Sequence, residues 1–510
     1  MKLRHLFKSN YAQLYRKMNR QEALLSFPKG AIINATIRLT GSKSESNRAL
    51  IIAALSKGLI EVDNLSDAAD TVTLNEILQR LAKDPSAASP IDVGHAGTAM
   101  RFLTAYLSTL DGTFELTGSK RMKERPIKLL VEALWTLGAT ISYLEENGYP
   151  PLQIKGGLKQ ATDAVQIRGD VSSQYLSALL MIGSSLEKGL SLQIIDDLTS
   201  EPYVRMTLKM LEEAGIKHTW TQNVIKIEHQ DFSGGRLVVE PDWSAASYWY
   251  SIAALVPGAQ IALPNLKEHS MQGDSRIQQL MLALGVKTTR TDDGVLLQSI
   301  SSSEQHAAGL GAQEVQSSVT AASSSKDPAA SGDSNGAQDN LSTHTNLLGD
   351  ETGIIAGEAL ITGIPASSSL HQDQVHRNQD DSVIDLKDCP DLAQTIIVCA
   401  AAKGLNLKFT GLETLKIKET NRVKALQNEL AKIGVELLED NFVYTLNCSN
   451  LHFPERVNIK TYDDHRMAMA FAPLSIFIPQ LEIEDMDVVE KSYPDFWKDL
   501  QTAGFKVVTK

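Results

Sequence analysis

The sequence predicts an α/β protein built from repeated units of strand, loop and helix. A short pattern, in which apolar residues alternate before a turn, recurs six times along the 510 residues. Most copies are followed by a segment of helical periodicity that closes on glycine, as in LVEALWTLGA, and glycine suits the left-handed end of a helix. Several copies are preceded by a helix of small residues, such as SNRALIIAAL. Each unit is therefore expected to bury helices against a sheet.

The spacing of the copies predicts an insertion. They are LIEVDNL, TFELTGS, LQIIDDL, QIALPNL, NLKFTGL and QLEIEDM, beginning at 59, 113, 192, 260, 406 and 480. Four spacings run from 54 to 79 residues, whereas the fourth is 146, about 77 beyond the mean of the others. Residues 301–350 hold 11 Ser and no aromatic residue, a composition that cannot offset ordering entropy by burial. We predict a Ser-rich, mostly disordered insertion over 300–380; an ordered subdomain using 353–364 is the alternative.

Composition excludes several classes of protein. The 49 basic and 61 acidic residues give a net charge of −12, which argues against a basic surface for nucleic acid. An anionic ligand would therefore need a local cationic pocket. The chain has three cysteines without metal-ligand or CxxC spacing, which indicates a reducing compartment and excludes structural zinc. They are Cys389, Cys399 and Cys448.

The sequence predicts no membrane span, because no window holds about 18 uninterrupted apolar residues. The first 21 residues carry Lys and Arg but no acid. They lack a secretory apolar core, so a cytosolic N-terminal extension is favoured over an organelle transit peptide.

The first candidate anion site is GSKSESNRA, where Gly41 marks a turn before a helix. This places Lys43, Ser44 and Arg48 near the N-terminus of the helix, whose free N–H groups attract anions. Solvated loop charges are the alternative. The stretch HAGTAMRFLTAYL repeats the design, with small residues that let backbone approach a ligand, although Gly97 could equally serve helix packing.

Two further motifs add cations and hydroxyl groups. The motif SKRMKERPIKLL carries three cations within a few positions: Arg121, Lys123 and Arg125. A surface charge run is the alternative. In VSSQYLSALL, three polar side chains precede an apolar helix: Ser172, Ser173 and Gln174. Hydroxyl groups there suit phosphate oxygens, but they suit ordinary helix capping as well.

The C-terminal part combines carboxylates with cations. In KIKETNRVKALQNEL, the spacing places Lys418, Glu419 and Arg422 on one side of a helix, with a surface salt-bridge ladder as the alternative. The motif TYDDHRMAMAF sets Arg466 before a run too apolar for a solvated face, and KSYPDFW adds a cation, Lys491. A carboxylate, Asp391, opens a largely apolar helix, where it could be only a partner of the helix dipole.

Six motifs, GSKSESNRA, HAGTAMR, RMKERP, VSSQ, KETNR and DHRMAM, together resemble the EPSP synthase family of enolpyruvyl transferases. The resemblance covers about residues 30–300 and 382–508. It implies two similar domains, each of three βαβαββ repeats around buried helices, in an inside-out α/β barrel. The chain would cross between the domains near residues 40 and 240. The implied division is an extension, 1–29; domain 1, 30–40 with 240–299 and 381–510; domain 2, 41–239; and the insertion, 300–380.

The resemblance also implies an activity. The enolpyruvyl group of phosphoenolpyruvate would move to the 5-hydroxyl of shikimate 3-phosphate, with release of phosphate, in the shikimate pathway of aromatic amino acid biosynthesis. Such chemistry needs a base near the hydroxyl, an acid for the enol methylene and cations around the departing phosphate. It implies no cofactor, no metal, no nucleic acid and no membrane partner. We expect a cytoplasmic monomer.

The roles implied by the resemblance fall into three groups. Proton transfer would involve Asp391, Glu419 and Lys43. Shikimate 3-phosphate would contact Lys43, Ser44, Arg48, Ser172, Ser173, Gln174, Ser200, Asp391 and Lys418. Phosphoenolpyruvate would contact Lys43, Gly97, Arg125, Gln174, Arg422, Arg466 and Lys491.

The sequence departs from the family pattern at three positions without losing a charged group: Thr40, His95 and Phe102. Two alternatives compete with this assignment. A UDP-N-acetylglucosamine enolpyruvyl transferase of the same fold would use a Cys-containing mobile loop as its acid, but the cysteines here lie elsewhere. A catalytically silent anion-binding scaffold, with the Ser-rich insertion as its interaction segment, would not need the three proton-transfer residues.

Overall fold

The computed structural model describes residues 21–84, 90–300 and 383–510. The strands are β1 (Ala23–Ser26), β2 (Asn34–Thr36), β3 (Ile60–Asp63), β4 (Ile91–Asp92), β5 (Thr113–Thr117), β6 (Thr140–Tyr143), β7 (Leu152–Lys155), β8 (Ala164–Arg168), β9 (Leu190–Ile195), β10 (Thr219–Thr221), β11 (Val224–Ile227), β12 (Gly235–Val238), β13 (Gln260–Pro264), β14 (Val286–Thr291), β15 (Gly294–Ser299), β16 (Val383–Asp385), β17 (Lys408–Thr410), β18 (Glu436–Asp440), β19 (Val443–Asn447), β20 (Arg456–Ile459), β21 (Gln480–Ile483) and β22 (Lys506–Thr509).

The α-helices are α1 (Lys43–Leu55), α2 (Ala69–Lys83), α3 (Gly97–Thr109), α4 (Lys120–Lys123), α5 (Lys128–Leu137), α6 (Ser173–Gly183), α7 (Glu201–Glu213), α8 (Trp243–Leu255), α9 (Ile277–Leu282), α10 (Ala393–Ala402), α11 (Arg422–Leu430), α12 (His465–Phe471) and α13 (Phe496–Thr502). Short 3-10 turns lie at Gly273–Arg276, Pro390–Leu392, Glu413–Ile417, Ala431–Ile433, Ala472–Ile476 and Met486–Lys491.

The strands of the described residues form six sheets, and five of these share one pattern. In one of them β8 runs parallel to β9, β11 pairs with β9 in the antiparallel sense, and β10 pairs with β11. The chain order is strand, helix, strand, helix and hairpin, which is the βαβαββ unit. The sixth sheet is the parallel pair of β3 and β12.

All six strands predicted from the repeated pattern are confirmed. They are β3, β5, β9, β13, β17 and β21, and each is one member of the parallel pair of its sheet. The glycines predicted at helix ends also have positive φ angles: Gly138, Gly215, Gly285, Gly434 and Gly504. At Gly138 a Cβ would collide with the carbonyl oxygen of Lys159, so the position needs glycine for space as well as for conformation.

Two hydrophobic cores organise the chain. The continuous core draws its residues from Ala49 to Val239. The discontinuous core draws on three stretches: Ala23 to Leu39, Trp243 to Leu297 and Ile384 to Phe505. Helices such as α10, buried over its whole length, fill the centre of a core, because a helix that is apolar on every side must be covered on every side.

The chain passes between the two cores at two points that lie side by side. Gly41 bridges Pro241 in the antiparallel sense. The N–H of Ser42 donates to the carbonyl oxygen of Glu240 at 2.7 Å, and the N–H of Asp242 donates to that of Thr40 at 3.0 Å. We call these two paired segments, 40–42 and 240–242, the crossover.

One predicted boundary is wrong. The extension expected over 1–29 contains β1, which pairs with β21 on one side and β22 on the other, and Ala23 and Leu25 are fully buried. Both partners of this short strand come from the far end of the chain, so no local pattern marks it. Residues 1–20 of the predicted extension and 301–380 of the predicted insertion lie outside the described residues. No helix among the described residues is long and apolar enough to cross a bilayer.

Candidate active site

A cavity between the two cores collects nearly all of the predicted site residues. The stretch 41–239 contributes Lys43, Ser44, Arg48, Gly97, Arg125, Ser172, Ser173, Gln174 and Ser200 to its lining. The C-terminal stretch contributes Asp391, Lys418, Glu419, Arg422 and Arg466. The remaining residue, Lys491, lines a neighbouring cavity that shares Arg125 and Glu419 with the first.

Helix α1 carries two of the cations. Lys43 is its first residue, and its Nζ lies 3.6 Å from Oδ2 of the buried Asp70. The Arg48 guanidinium is held by the protein itself: Nε donates to Thr207 Oγ1 at 2.7 Å, and Nη2 donates to Ser177 Oγ at 3.0 Å. Burial lowers the pKa of Arg48 to about 10, which leaves it a cation at neutral pH. These hydrogen bonds therefore hold the positive charge of Arg48 in one position.

The start of α3 brings backbone close to a cation. Gly97 is the first residue of the helix, and a Cβ there would lie 2.6 Å from Arg125 Nη1. The guanidinium therefore lies against the bare backbone of Gly97, which a larger residue would push away. Arg101, which is buried, donates from its guanidinium to the carbonyl oxygens of Gly97 and Pro126, both at 3.1 Å. It fixes the backbone on which Arg125 rests.

Short polar side chains at the start of α6 and α7 form another part of the cavity lining. Ser172 precedes α6, and its side chain makes no capping hydrogen bond to that helix. Ser173 and Gln174 open the helix, and Gln174 Nε2 donates to Thr98 Oγ1 at 3.3 Å. Ser200 precedes α7 with a left-handed φ of 57°. The capping alternative therefore does not apply at Ser172, and these polar groups face the cavity.

Arg422 is the most heavily engaged cation of the site. It is 2% exposed, and its three nitrogens donate to three carboxylates. Nη1 reaches Asp391 Oδ1 at 3.0 Å, Nη2 reaches Glu419 Oε2 at 2.8 Å, and Nε reaches Asp464 Oδ2 at 2.7 Å. Arg466 adds a second guanidinium, with Nη2 lying 3.0 Å from Asp391 Oδ2. The two arginines thus share one carboxylate.

Burial and neighbouring cations act in opposite directions on the two predicted proton-transfer carboxylates. Burial raises the pKa of Asp391, but Arg466, Lys418 and a second arginine outweigh the burial and hold this pKa well below its usual range. Burial likewise raises the pKa of Glu419, yet Lys491 and two arginines hold this pKa well below its usual range. Lys491 Nζ donates to Glu419 Oε1 at 2.8 Å. Both groups are therefore ionised at neutral pH.

The helix predicted to carry Lys418 and Glu419 begins later than expected. Helix α11 starts at Arg422, and Asn421 caps it by accepting a hydrogen bond from the N–H of Lys424 at 3.1 Å. Asparagine is among the favoured capping residues, and it ends the preceding loop here. Because Glu419 lies in this loop, its carboxylate can reach partners on two different elements.

The sequence patterns did not indicate several residues in and around the site. Asp464 caps α12 and pairs with Arg422, and its place inside the motif DDHR could have marked it. Asp274 is buried, accepts from the hydroxyl of Tyr203 at 3.2 Å, and accepts from Ser244 Oγ. Burial, together with the charge of Asp391, raises the pKa of Asp274 to about 6. Neither Asp274 nor its two partners stand in a charged motif, so no signal pointed to them.

Comparison with solved structures identifies the class of fold. The EPSP synthase from Acinetobacter baumannii matches with a TM-score of 0.63 and 18% identity, covering 96% of this chain and 100% of that one. The enolpyruvyl transferase NikO from Streptomyces tendae matches with a TM-score of 0.62 and 12% identity, covering 96% and 99%. The fold is that of the enolpyruvyl transferases, which confirms the predicted fold class.

Sequence comparison then identifies the family. The family model described as EPSP synthase (3-phosphoshikimate 1-carboxyvinyltransferase) matches residues 28–308 and 358–500, and the gap lies inside the predicted insertion. A 3-phosphoshikimate 1-carboxyvinyltransferase from Bacteroides fragilis (strain YCH46) is 40% identical over 486 residues, 95% of this chain and 98% of the relative. One from Paraburkholderia phytofirmans is 30% identical over 488 residues, covering 91% and 95%. The chain belongs to the EPSP synthase family, as its six motifs predicted.

Proposed function

We propose that this protein transfers the enolpyruvyl group of phosphoenolpyruvate to the 5-hydroxyl of shikimate 3-phosphate and releases phosphate. One observation carries the proposal: two ionised carboxylates, Asp391 and Glu419, lie among cations in one cavity between the cores. Both proposed substrates are anions, and the reaction needs both a proton acceptor and positive charge around a leaving phosphate.

Phosphoenolpyruvate presents a carboxylate and a phosphate, which need two separate groups of donors. Arg422 and Arg466 suit the carboxylate, because both guanidinium groups already bind the carboxylate of Asp391. The phosphate would lie near Arg125, which rests against the backbone of Gly97. Its other proposed contacts are Lys43, Gln174 and Lys491.

Shikimate 3-phosphate presents hydroxyls, a carboxylate and a phosphate. The wall that opens α6 suits it, because its serine hydroxyls and Gln174 are short polar groups next to the N–H groups at the start of a helix. The proposed contacts are Lys43, Ser44, Arg48, Ser172, Ser173, Gln174, Ser200, Asp391 and Lys418.

The proton-transfer roles follow from the same contacts. Asp391 would accept the proton of the attacking 5-hydroxyl. Lys43 would donate a proton to the methylene carbon, or Glu419 would do so after substrate binding has raised its pKa and it has taken up a proton. Each bound anion competes with Asp391 and Glu419 for the same cations. A like charge nearby raises the pKa of a carboxylate, so substrate binding would make both groups stronger bases than they are in the empty cavity. No covalent nucleophile is required.

The positions of the three cysteines bear on the alternative assignment, a UDP-N-acetylglucosamine enolpyruvyl transferase. All three cysteines are buried, and none lines the cavity. Burial raises the pKa of Cys399 and of Cys448 to about 11, so these thiols are poor candidates for an acid on a mobile loop. This disfavours the UDP-N-acetylglucosamine reaction.

We further propose that the two cores correspond to the two domains of the family, with domain 1 extended to include β1. The continuous core lies inside the stretch 41–239, and the discontinuous core lies in the other described stretches. We also propose a cytoplasmic monomer, and the three free cysteines support a reducing compartment.

The test is a phosphate-release assay with the purified full chain and no added metal. Phosphoenolpyruvate is held constant, and the acceptor is either shikimate 3-phosphate or UDP-N-acetylglucosamine. We expect release with shikimate 3-phosphate alone. Release with the other acceptor would contradict the substrate assignment, and release with neither would contradict the activity.

A further inference from the structure

Arg121 belongs to the motif RMKERP, but it is not among the residues to which the proposed reaction assigns a role. It lies on α4, and its side chain is 39% exposed. Its guanidinium nevertheless reaches across the cleft. Nε donates to the carbonyl oxygen of Glu419 at 3.0 Å, and Nη2 donates to the carbonyl oxygen of Lys418 at 3.0 Å. One guanidinium group therefore binds the carbonyl oxygens of two successive residues in the C-terminal stretch of the chain.

The loop that Arg121 grips holds two groups of the site. It joins the 3-10 turn Glu413–Ile417 to α11, so its carbonyls lie outside any helix or strand. Within the described residues, the hydrogen bonds that the carbonyls of Lys418 and Glu419 accept both come from Arg121. Lys418 Nζ lies 3.6 Å from Asp391, and the Glu419 carboxylate binds Lys491 at 2.8 Å. Fixing this backbone therefore fixes two side chains in the cavity.

We propose that Arg121 is a positioning residue, which places Lys418 and Glu419 when the two cores come together. The proposal rests on the proposed function. We assign Arg121 to backbone rather than to a substrate, since its guanidinium donates to two carbonyl oxygens of the loop. A planar fork bridges two adjacent carbonyls, which a single ammonium group cannot do in the same geometry.

Two substitutions test the role of the fork, Arg121→Gln and Arg121→Lys. Both should lower kcat about ten- to a hundredfold, because two hydrogen bonds from a charged group are lost and Glu419 is misplaced. The KM for phosphoenolpyruvate and the Tm should stay close to those of the wild type, whereas the KM for shikimate 3-phosphate should rise, because Lys418 is a proposed contact of that substrate. The matched control is Lys123→Gln, on the same helix, whose ammonium pairs with the exposed Glu145 at 2.5 Å and makes no contact with the cleft. Its kcat should stay within twofold of the wild type.

A double substitution tests whether Arg121 acts through Glu419. In a Glu419→Gln background, Arg121→Gln should lower kcat by a smaller factor than it does alone, because one of the two groups that it positions is already inactive. A full additional loss would overturn the proposal. So would wild-type kcat in Arg121→Lys, or a loss confined to KM and Tm, because charge or general stability would then explain the effect.

A readout without turnover separates this proposal from the proposed function. Hydrogen exchange of the segment 416–422 should be faster in Arg121→Gln than in the wild type or in Lys123→Gln. Unchanged exchange would overturn the positioning role. Failure of the wild type to release phosphate would overturn the function instead.

Discussion

Two pairs of carboxylates lie where the two cores meet, one partly buried and one fully buried, and they differ in their surroundings. In the cleft, Asp391 and Glu419 are bound by guanidinium and ammonium groups, which hold the pKa of each well below its usual range although burial raises it. At the crossover, Glu45 is 1% exposed, and its Oε2 accepts from the backbone N–H of Glu240 at 2.8 Å. Burial, together with the charge of Glu240, raises the pKa of Glu45 to about 8.

The partners explain the difference. The Glu240 carboxylate accepts from Trp243 Nε1 at 2.8 Å, from the N–H of Lys267 at 2.8 Å and from Ser270 Oγ at 2.5 Å, all of them neutral groups. Among the described residues, Glu45 Oε1 has no hydrogen-bond partner. Burial therefore does not by itself decide whether a carboxylate is ionised. The cations of the cleft keep Asp391 and Glu419 ionised, whereas burial at the crossover favours the protonated form of Glu45.

The largest expected effect comes from removing the base. Asp391→Asn preserves the shape of the side chain but not its proton affinity, so turnover should fall about 10²- to 10⁴-fold. Affinity for shikimate 3-phosphate, measured by calorimetry, should change only a few-fold. The control is Asp385→Asn, an exposed carboxylate on β16 six residues earlier. Turnover of Asp391→Asn within a few-fold of the wild type would move the base elsewhere.

A substitution that removes a cation from the cleft tests whether cations cause the difference between the two regions. Arg422→Met removes the cation shared by Asp391, Glu419 and Asp464, and should lower the free energy of unfolding by about 3 to 5 kcal/mol. Chemical denaturation would measure this. Arg456→Met removes an exposed cation paired with Glu482 and should cost no more than about 1 kcal/mol. Equal losses in the two variants would show that the carboxylates of the cleft do not depend on Arg422.

The protonation state of Glu45 at the crossover can be tested by measuring stability at different pH values. Because the pKa of Glu45 rises from 4.5 to about 8 on folding, the stability that it contributes is complete below about pH 4.5 and is lost as pH rises through about 8. Relative to Glu45→Gln, which stays neutral, the wild type should lose on the order of 3 to 4 kcal/mol between pH 5 and pH 8.

Denaturation of both proteins at several pH values gives this difference directly, and titrations elsewhere in the chain cancel. Glu61→Gln, on the exposed face of β3, serves as the control. A difference between the wild type and Glu45→Gln that is independent of pH would mean that Glu45 is ionised in the fold, like the carboxylates of the cleft.

The smallest effect is expected from shortening the insertion. Replacing residues 303–378 with a Gly-Ser linker should change the free energy of unfolding by only about 1 to 2 kcal/mol, because closure entropy varies with the logarithm of loop length. The strands on either side have their partners among the described residues: β15 pairs with β13 and β14, and β16 pairs with β17. Unchanged kinetic constants are expected. A large fall in turnover at constant Tm would show that the insertion contributes to the site.

Much of the fold could be predicted because its signals are local. Each repeated strand carries its alternation within a few residues, and Gly138 marks a helix end whose geometry excludes other residues. The cations of the site were also predictable, because anion chemistry requires them and they stand in compact motifs. Local patterns fail where a partner is distant, as for β1. They fail as well for Glu45, whose hydrogen-bond partner is 195 positions away.

Contacts made with backbone leave even less trace in a sequence. The acceptors of Arg121 are two carbonyl oxygens, which any residue at positions 418 and 419 would provide. The motif RMKERP therefore predicted a cation at Arg121 but not the carbonyl oxygens that it binds. The late start of α11 has a similar origin, since the capping role of Asn421 outweighed a spacing that suited a longer helix.

The position of β1 between β21 and β22 has a consequence for the order of assembly. The continuous core is complete once residue 239 has been synthesised, and it can fold while the ribosome is still at work. Strand β1 must wait for its first partner, β21 at residues 480–483, some tens of seconds later at about 5 to 20 residues per second. Until then the apolar side chains of Ala23 and Leu25 have no sheet to enter. Nascent chains stalled before β21 should therefore be the form of this protein that aggregates most readily.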